Sequence, residues 1–175
     1  MKEAELKLVS ELMKNCRRSD RELAKAVGVS QPTVSRMISR LEKEGIIREY
    51  TIVPDFSKLG YEIMSISFLR PKRSRTPEEV EEIRRIGAKR LEEFSEVIMS
   101  ARGTGIGFAS TIISIHKDYS SYQQHLDRME KYTNLIDSSV QSFVISLSDK
   151  VKYRPLTLST FGKHLIAEKK GISHE

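Results

Sequence analysis

Leu23-Ala24-Lys25-Ala26-Val27-Gly28-Val29-Ser30-Gln31-Pro32-Thr33-Val34-Ser35-Arg36-Met37-Ile38-Ser39-Arg40-Leu41 decides how this chain is read. Two helical patterns meet here across two residues. The first begins upstream at Ser19-Asp20-Arg21-Glu22, a capping box in which Ser19 accepts from the Glu22 amide and the Glu22 carboxylate reaches back. It buries Leu23, Ala24 and Val27, and Gly28 stops it, because a glycine past a helix end takes the left-handed conformation without a Cβ penalty. Ser30 is then the expected N-cap of the second helix, with Pro32 in the first turn, where its missing amide hydrogen costs nothing. Val34, Ile38 and Leu41 form an inward stripe with Met37 at its margin, and Gly45 ends the helix. Upstream, Leu8, Val9 and Leu12 fall at helical spacing, so one more amphipathic helix precedes the pair. Downstream, residues 46 to 53 read as an extended segment.

Two short helices joined by a tight glycine turn match the helix-turn-helix pattern, whose second helix enters the major groove of duplex DNA. The chemistry of that helix suits the task. From Ser30 through Leu41 it carries Arg36 and Arg40 and no carboxylate, so nothing on it repels phosphate. Ser30, Gln31, Thr33 and Ser35 supply hydroxyl and amide groups at its start, the part that meets base edges, and Ser39 continues the outer face. These seven residues are the candidate DNA readers. Arg17, Arg18, Arg21 and Lys25 are candidates for backbone contacts, which position a protein without reading sequence. The alternative use of such a helical trio is contact with other proteins.

The run Leu23 to Ser30 followed by Thr33-Val34-Ser35-Arg36-Met37-Ile38-Ser39-Arg40-Leu41-Glu42-Lys43-Glu44-Gly45-Ile46-Ile47 resembles the head of the leucine-responsive and asparagine-regulator (Lrp/AsnC) family of transcription regulators. The second half of the chain carries the resemblance further. Pro54 to Gly60 is turn chemistry ending in glycine and marks a hinge. Tyr61 to Leu69 alternates Met64, Ile66 and Phe68 against Ser65 and Ser67, a strand. Arg70-Pro71-Lys72-Arg73-Ser74-Arg75 is a basic loop that could touch DNA beside the site, although a solvated loop accounts for it as well. Thr76-Pro77-Glu78-Glu79 caps a helix with Val80, Ile83, Gly87, Leu91 and Phe94 inward. Val97-Ile98-Met99 is a short strand, and Phe108 to His116 a third. Asp118 caps a helix carrying Tyr122, Leu126 and Met129, and Val140 to Leu147 is a fourth strand. The order is βαββαβ, the ferredoxin-like arrangement.

The expected fold is therefore α+β: a winged helix-turn-helix at 1–53, a hinge at 54–60, a ferredoxin-like oligomerisation and effector domain at 61–150, and a tail at 151–175. Phe161, Leu165 and Ile166 hint at a short docked helix in that tail. The resemblance implies subunits paired through their sheets, dimers that assemble further into octamers, and small effectors, commonly amino acids, bound between subunits. A two-fold pair presents two recognition helices and prefers a roughly palindromic site. The family's effector loop follows the second strand and reads Gly, two residues, then Asp. Here Arg102, Gly103, Thr104, Gly105 and Gly107 form the candidate effector loop, and Phe108 stands where the Asp is expected. With that carboxylate gone, a free amino acid is disfavoured as effector. The same glycines superficially suggest a nucleotide loop, but a dinucleotide fingerprint needs a helix after them and an alternating strand follows, so a tight hairpin is expected instead.

Composition is permissive. The 175 residues carry a net charge of +6, with 30 basic residues against 24 acidic, a mild bias toward anionic partners. The longest apolar stretches, such as that around Ile112-Ile113, are broken by serines, so no membrane span is expected, and the charged N-terminus lacks a signal-peptide pattern. Cys16 is the single cysteine, so no intrachain disulfide forms and a cytoplasmic protein is expected. His116, His125, His164 and His174 show no metal-ligand spacing and read as surface or sheet-edge residues. No nucleophile–base pattern appears. The expectation is a regulator with duplex DNA, itself and a small-molecule effector as partners, with no metal and no cofactor. A siroheme-decarboxylase-like enzyme, whose relatives share both domains, is the catalytic alternative.

Overall fold

The computed structural model describes residues 1–150 and 154–169; His174 and the rest of the tail at 151–153 and 170–175 lie outside the described residues. The chain divides into two compact units, one holding Met1–Val53 together with the C-terminal helix and the other beginning at Pro54.

The first unit contains α1 (Glu3–Lys14), α2 (Asp20–Val27), α3 (Gln31–Lys43) and, from the far end of the chain, a helix over Ser159–Lys169. Leu8, Leu23, Ala24, Val27, Val34 and Leu41 form its core, with Leu12, Met37 and Ile38 packed at the edge. Both ends of α2 follow their sequence. The Ser19 hydroxyl accepts from the Glu22 amide while the Glu22 carboxylate takes the Ser19 amide at 2.7 Å. Gly28 closes the helix at φ +82°. Ser30 occupies the N-cap position of α3 with extended backbone, but its side chain makes no capping bond; its hydroxyl lies 2.8 Å from that of Thr33. The segment expected as extended, 46 to 53, forms no strand, and Ile46, Tyr50, Ile52 and Val53 are exposed along it. A lone extended segment has no ladder partner inside its own unit to satisfy its backbone.

The second unit opens on a short 3₁₀ turn, Phe56–Leu59, capped by Asp55 and ended by Gly60 in the left-handed region. Then follow β1 (Ile63–Pro71), α4 (Pro77–Leu91), β2 (Val97–Gly105), β3 (Phe108–His116), α5 (Tyr119–Leu135) and β4 (Ser138–Ser146), and the C-terminal helix is α6. The four strands form one antiparallel sheet in the order β2-β3-β1-β4, the ferredoxin-like topology. Thr76 and Asp118 cap α4 and α5 through boxes closed at Glu79 and Ser121.

The sheet has two unlike faces. On the helix side, Leu69 and Ile112 join Phe94, Met129 and Ile136 in the core, with Ile83 and Ile86 of α4 against it. Ser65, Ser67 and Ser114 lie fully buried on this side, small enough for α5 to lie close over the strands. On the other side an apolar row crosses all four strands, because Ile66 pairs with Phe143 on β4 and with Ile113 on β3, and Ile113 pairs with Met99 on β2. Phe143 is 64% exposed there.

Candidate nucleic-acid interface

The outer face of α3 presents what its sequence promised. Ser30, Gln31, Ser35, Arg36, Ser39 and Arg40 are exposed and Thr33 is half-buried, while Val34 and Leu41 anchor the opposite side at zero exposure. The Arg36 Nε donates to the Pro32 carbonyl at 3.3 Å, which aligns the side chain along the helix without neutralising it. Among the described residues no carboxylate pairs with Arg36, so its charge is available to an anion. Arg17, Arg21 and Lys25 are exposed and likewise have no ion-pair partner among the described residues.

Arg40 differs from its neighbour one turn away. It forms an ion pair with Glu5 of α1, a carboxylate only 6% exposed, and lies 3.7 Å from Glu44. The Glu5 carboxylate also accepts from the Lys2 amide at 2.8 Å. A buried carboxylate stripped of its cation is costly, so Arg40 is committed to holding α3 against α1. Arg36 and Arg40, both candidate readers, therefore differ in what holds them. The signal was present in the sequence: Glu5 sits three residues before Leu8 on the inward stripe of α1, where a charge demands a partner. Arg18 is also engaged, with Glu11 and the Glu22 carbonyl.

Beside this face, the Tyr50 hydroxyl donates to Glu42 at 2.9 Å. Although the ring is half exposed, partial desolvation of the hydroxyl and its bond to Glu42 push its pKa up to about 12, so it stays a neutral donor.

The cations of the basic segment Arg70–Arg75, which begins in the last residues of β1, are engaged by partners within their own unit. Arg70 lies over the Phe108 ring at 4.6 Å and donates to the Ile106 carbonyl at 3.4 Å. Arg73 forks onto Glu79 at 2.6 and 3.1 Å, and this bond holds the Glu79 carboxyl down at about 2. Arg75 clasps the turn between α5 and β4 through the Ile136 and Asp137 carbonyls and the Ser138 hydroxyl. Lys72 lies 3.9 Å from Asp137. All four cations serve the second unit itself.

The candidate effector loop is mostly strand. Arg102, Gly103, Thr104 and Gly105 lie in β2, all exposed, and only Ile106 and Gly107 form the turn, at φ +44° and +80°. A two-residue hairpin with both central residues at positive φ continues the strand twist, which explains why β2 runs six residues past Met99.

Two histidines expected at the surface or the sheet edge are buried. His116 and His125 are 2% and 0% exposed, with ring centroids 4.8 Å apart. His116 bonds the Ser114 hydroxyl at 2.8 Å through Nε2, and His125 bonds Glu96 at 2.8 Å through Nδ1. His116 shares its strand face with Ile112 and Ser114, and His125 falls between Tyr122 and Met129 on one helix stripe, so periodicity alone placed both inside. His164 lies against the Phe161 ring on α6. Among the described residues no cluster of three or more metal-ligating side chains forms, and no helix is long and apolar enough to cross a membrane.

Comparison with known proteins places these units in a family. Residues 1–48 match the winged helix-turn-helix DNA-binding family. An uncharacterised HTH-type transcriptional regulator of Pyrococcus furiosus is 29% identical over 144 residues, spanning 82% of this chain and 92% of the relative. An HTH-type transcriptional regulator of Methanocaldococcus jannaschii is 31% identical over 122 residues, spanning 70% of this chain and 76% of the relative. The crystal structure of an AsnC family transcriptional regulator from Agrobacterium tumefaciens superposes with a TM-score of 0.68 at 22% identity, covering 91% of this chain and 99% of that one. A transcriptional regulator of Neisseria meningitidis solved in complex with L-Met gives 0.70 at 18% identity, covering 92% and 99%. These structural likenesses concern the fold. The head, the βαββαβ unit and the relatives together define a helix-turn-helix transcription regulator. The chain belongs to the Lrp/AsnC family.

Proposed function

We propose that this regulator docks α3 in the major groove and reads duplex DNA with Gln31, Ser35, Arg36 and Ser39, while Arg17, Arg21 and Lys25 hold the phosphate backbone. Residues 1–53 are the DNA-binding head, 54–60 the hinge and 61–150 the assembly and effector domain. The observation that carries the reading is the face of α3 from Gln31 to Arg40, where exposed hydroxyl, amide and guanidinium groups stand and the first acid of the helix, Glu42, lies in its last turn. The apolar row on the open side of the sheet supports pairing with a second copy, and a symmetric pair presents two α3 helices to a two-fold site. The exposed hairpin bearing Arg102, Gly103, Thr104, Gly105 and Gly107 is the proposed edge for effector contact. Arg102 there favours an acidic over an amine-bearing ligand. A role in the cytoplasm, on DNA, and without a catalytic step fits a family of regulators.

Selection of bound duplexes from a random pool at one near-physiological salt concentration tests this directly. The expected result is a two-fold motif with half-sites about one helical turn apart. Arg36→Ala weakens binding to that motif by about 5- to 150-fold, the equivalent of about 1–3 kcal/mol for a lost base contact. Arg40→Ala instead lowers the melting midpoint of the head, by about 1–3 kcal/mol of stability, because Glu5 is left buried and unpaired. Recovery of unenriched DNA would transfer the head to protein contacts.

A further inference from the structure

The second unit contains a cavity of about 340 Å³ on its helical side, between the end of α4 and the face of α5, away from the open face of the sheet. That volume is at the lower end of the small-molecule range. Phe94 and Tyr132 give it an apolar base, and Leu135, 60% exposed, an apolar lip. Its rim is cationic. Arg90, Arg128 and Lys131 line it against one carboxylate, Glu93. Glu93 is already held by Arg90, at 2.9 and 3.3 Å. Arg128 lies over the Phe94 ring at 4.9 Å and bonds Glu96 behind it, while Lys131 has no partner among the described residues. Even counting Glu96, one positive charge is left over at the mouth of an apolar cleft.

We propose that this cleft binds a small organic carboxylate with an aromatic or aliphatic body and no amino group. The body lies on Phe94, Tyr132 and Leu135, and the carboxylate meets Lys131 and Arg128 at the rim. An ammonium group finds no unengaged acid in the lining, since its one carboxylate, Glu93, already holds Arg90. The site goes beyond the DNA-binding reading and is separate from the hairpin of Arg102.

Calorimetric titration of the full chain with phenylacetate, octanoate, phenethylamine and inorganic phosphate tests the assignment. Phenylacetate or octanoate is expected to bind saturably at one site per chain. Lys131→Gln and Leu135→Ser, both exposed positions with folding checked by thermal melts, each weaken that binding about tenfold, the first by removing a charge-assisted bond and the second by removing the apolar lip. Phenethylamine and phosphate are expected not to bind. The proposal is overturned if neither carboxylate binds, if both variants bind as the parent does, or if phosphate or the amine binds as tightly as the carboxylates.

Discussion

His116 of β3 and His125 of α5 sit ring against ring, and burial opposes a charge on either. Burial pushes His116 down to about 4, and the neighbouring His125 adds to the shift. Burial also lowers His125, against the opposing pull of Glu96. A histidine whose folded pKa lies below its unfolded value of about 6.5 binds protons more readily when the chain is unfolded. Its contribution is therefore complete above about pH 6.5 and is lost as pH falls toward 4. For His116 alone this removes about 2 kcal/mol between pH 7.5 and pH 5, a range above most carboxylate titrations. Urea melts at the two pH values measure it. His116→Gln, which keeps a polar partner for Ser114 and does not titrate, is expected to flatten the dependence. A variant with an unchanged slope would place the sensitivity elsewhere. Arg36 and Arg40 give the companion lesson: the same residue type one helical turn apart has different duties, because only Arg40 reaches a buried acid.

At the scale of elements, α6 depends on one close approach. The Ser10 hydroxyl of α1 donates to the Gly162 carbonyl at 2.5 Å, and Gly162 is buried at the crossing. A Cβ at Gly162 would stand 2.9 Å from the Ser10 carbonyl and 3.2 Å from the Met13 Cβ, and the first of these is backbone that cannot swing aside. Gly162→Val is therefore expected to lift α6 off α1, although a valine alone is no worse than glycine in a helix. Limited proteolysis would show faster cleavage within 154–169, with the head losing about 1–3 kcal/mol of stability. Protection equal to the parent's would mean that α6 is held by other contacts. Leu165 and Ile166 are half-buried on α6 as the docked-helix reading of the tail expected, whereas Phe161 is exposed.

At the scale of the molecule, the row Phe143–Ile66–Ile113–Met99 leaves one face of the sheet apolar and open. Contiguous apolar surface of this kind marks an interaction site. Phe143→Lys places a charge in that row, at a position so exposed that the fold of the single chain does not rely on it. Sedimentation is expected to show the proposed pair of chains dissociating at least ten times more readily, with the melting of each unit preserved. An unchanged assembly would move the interface off this face.

Local chemistry was legible residue by residue. The capping boxes at Ser19 and Thr76, the stop at Gly28, the Asp118 cap and the alternation of β3 depend on neighbours within a few positions, so the sequence determined them, and with them the helix-turn-helix and the βαββαβ order. What lay beyond that range was decided in three dimensions. The sequence shows no strand signal in Arg102 to Gly105, since glycines have no side chains to alternate, and pairing with β3 drew them into β2. Gly162 reads as a weak point in a helix until Ser10 stands against it. Arg40 reads as a free cation until Glu5, 35 positions earlier, is folded beneath it. Burial, charge pairing and close packing are properties of residues distant in the chain, and the tertiary structure alone brings those residues together.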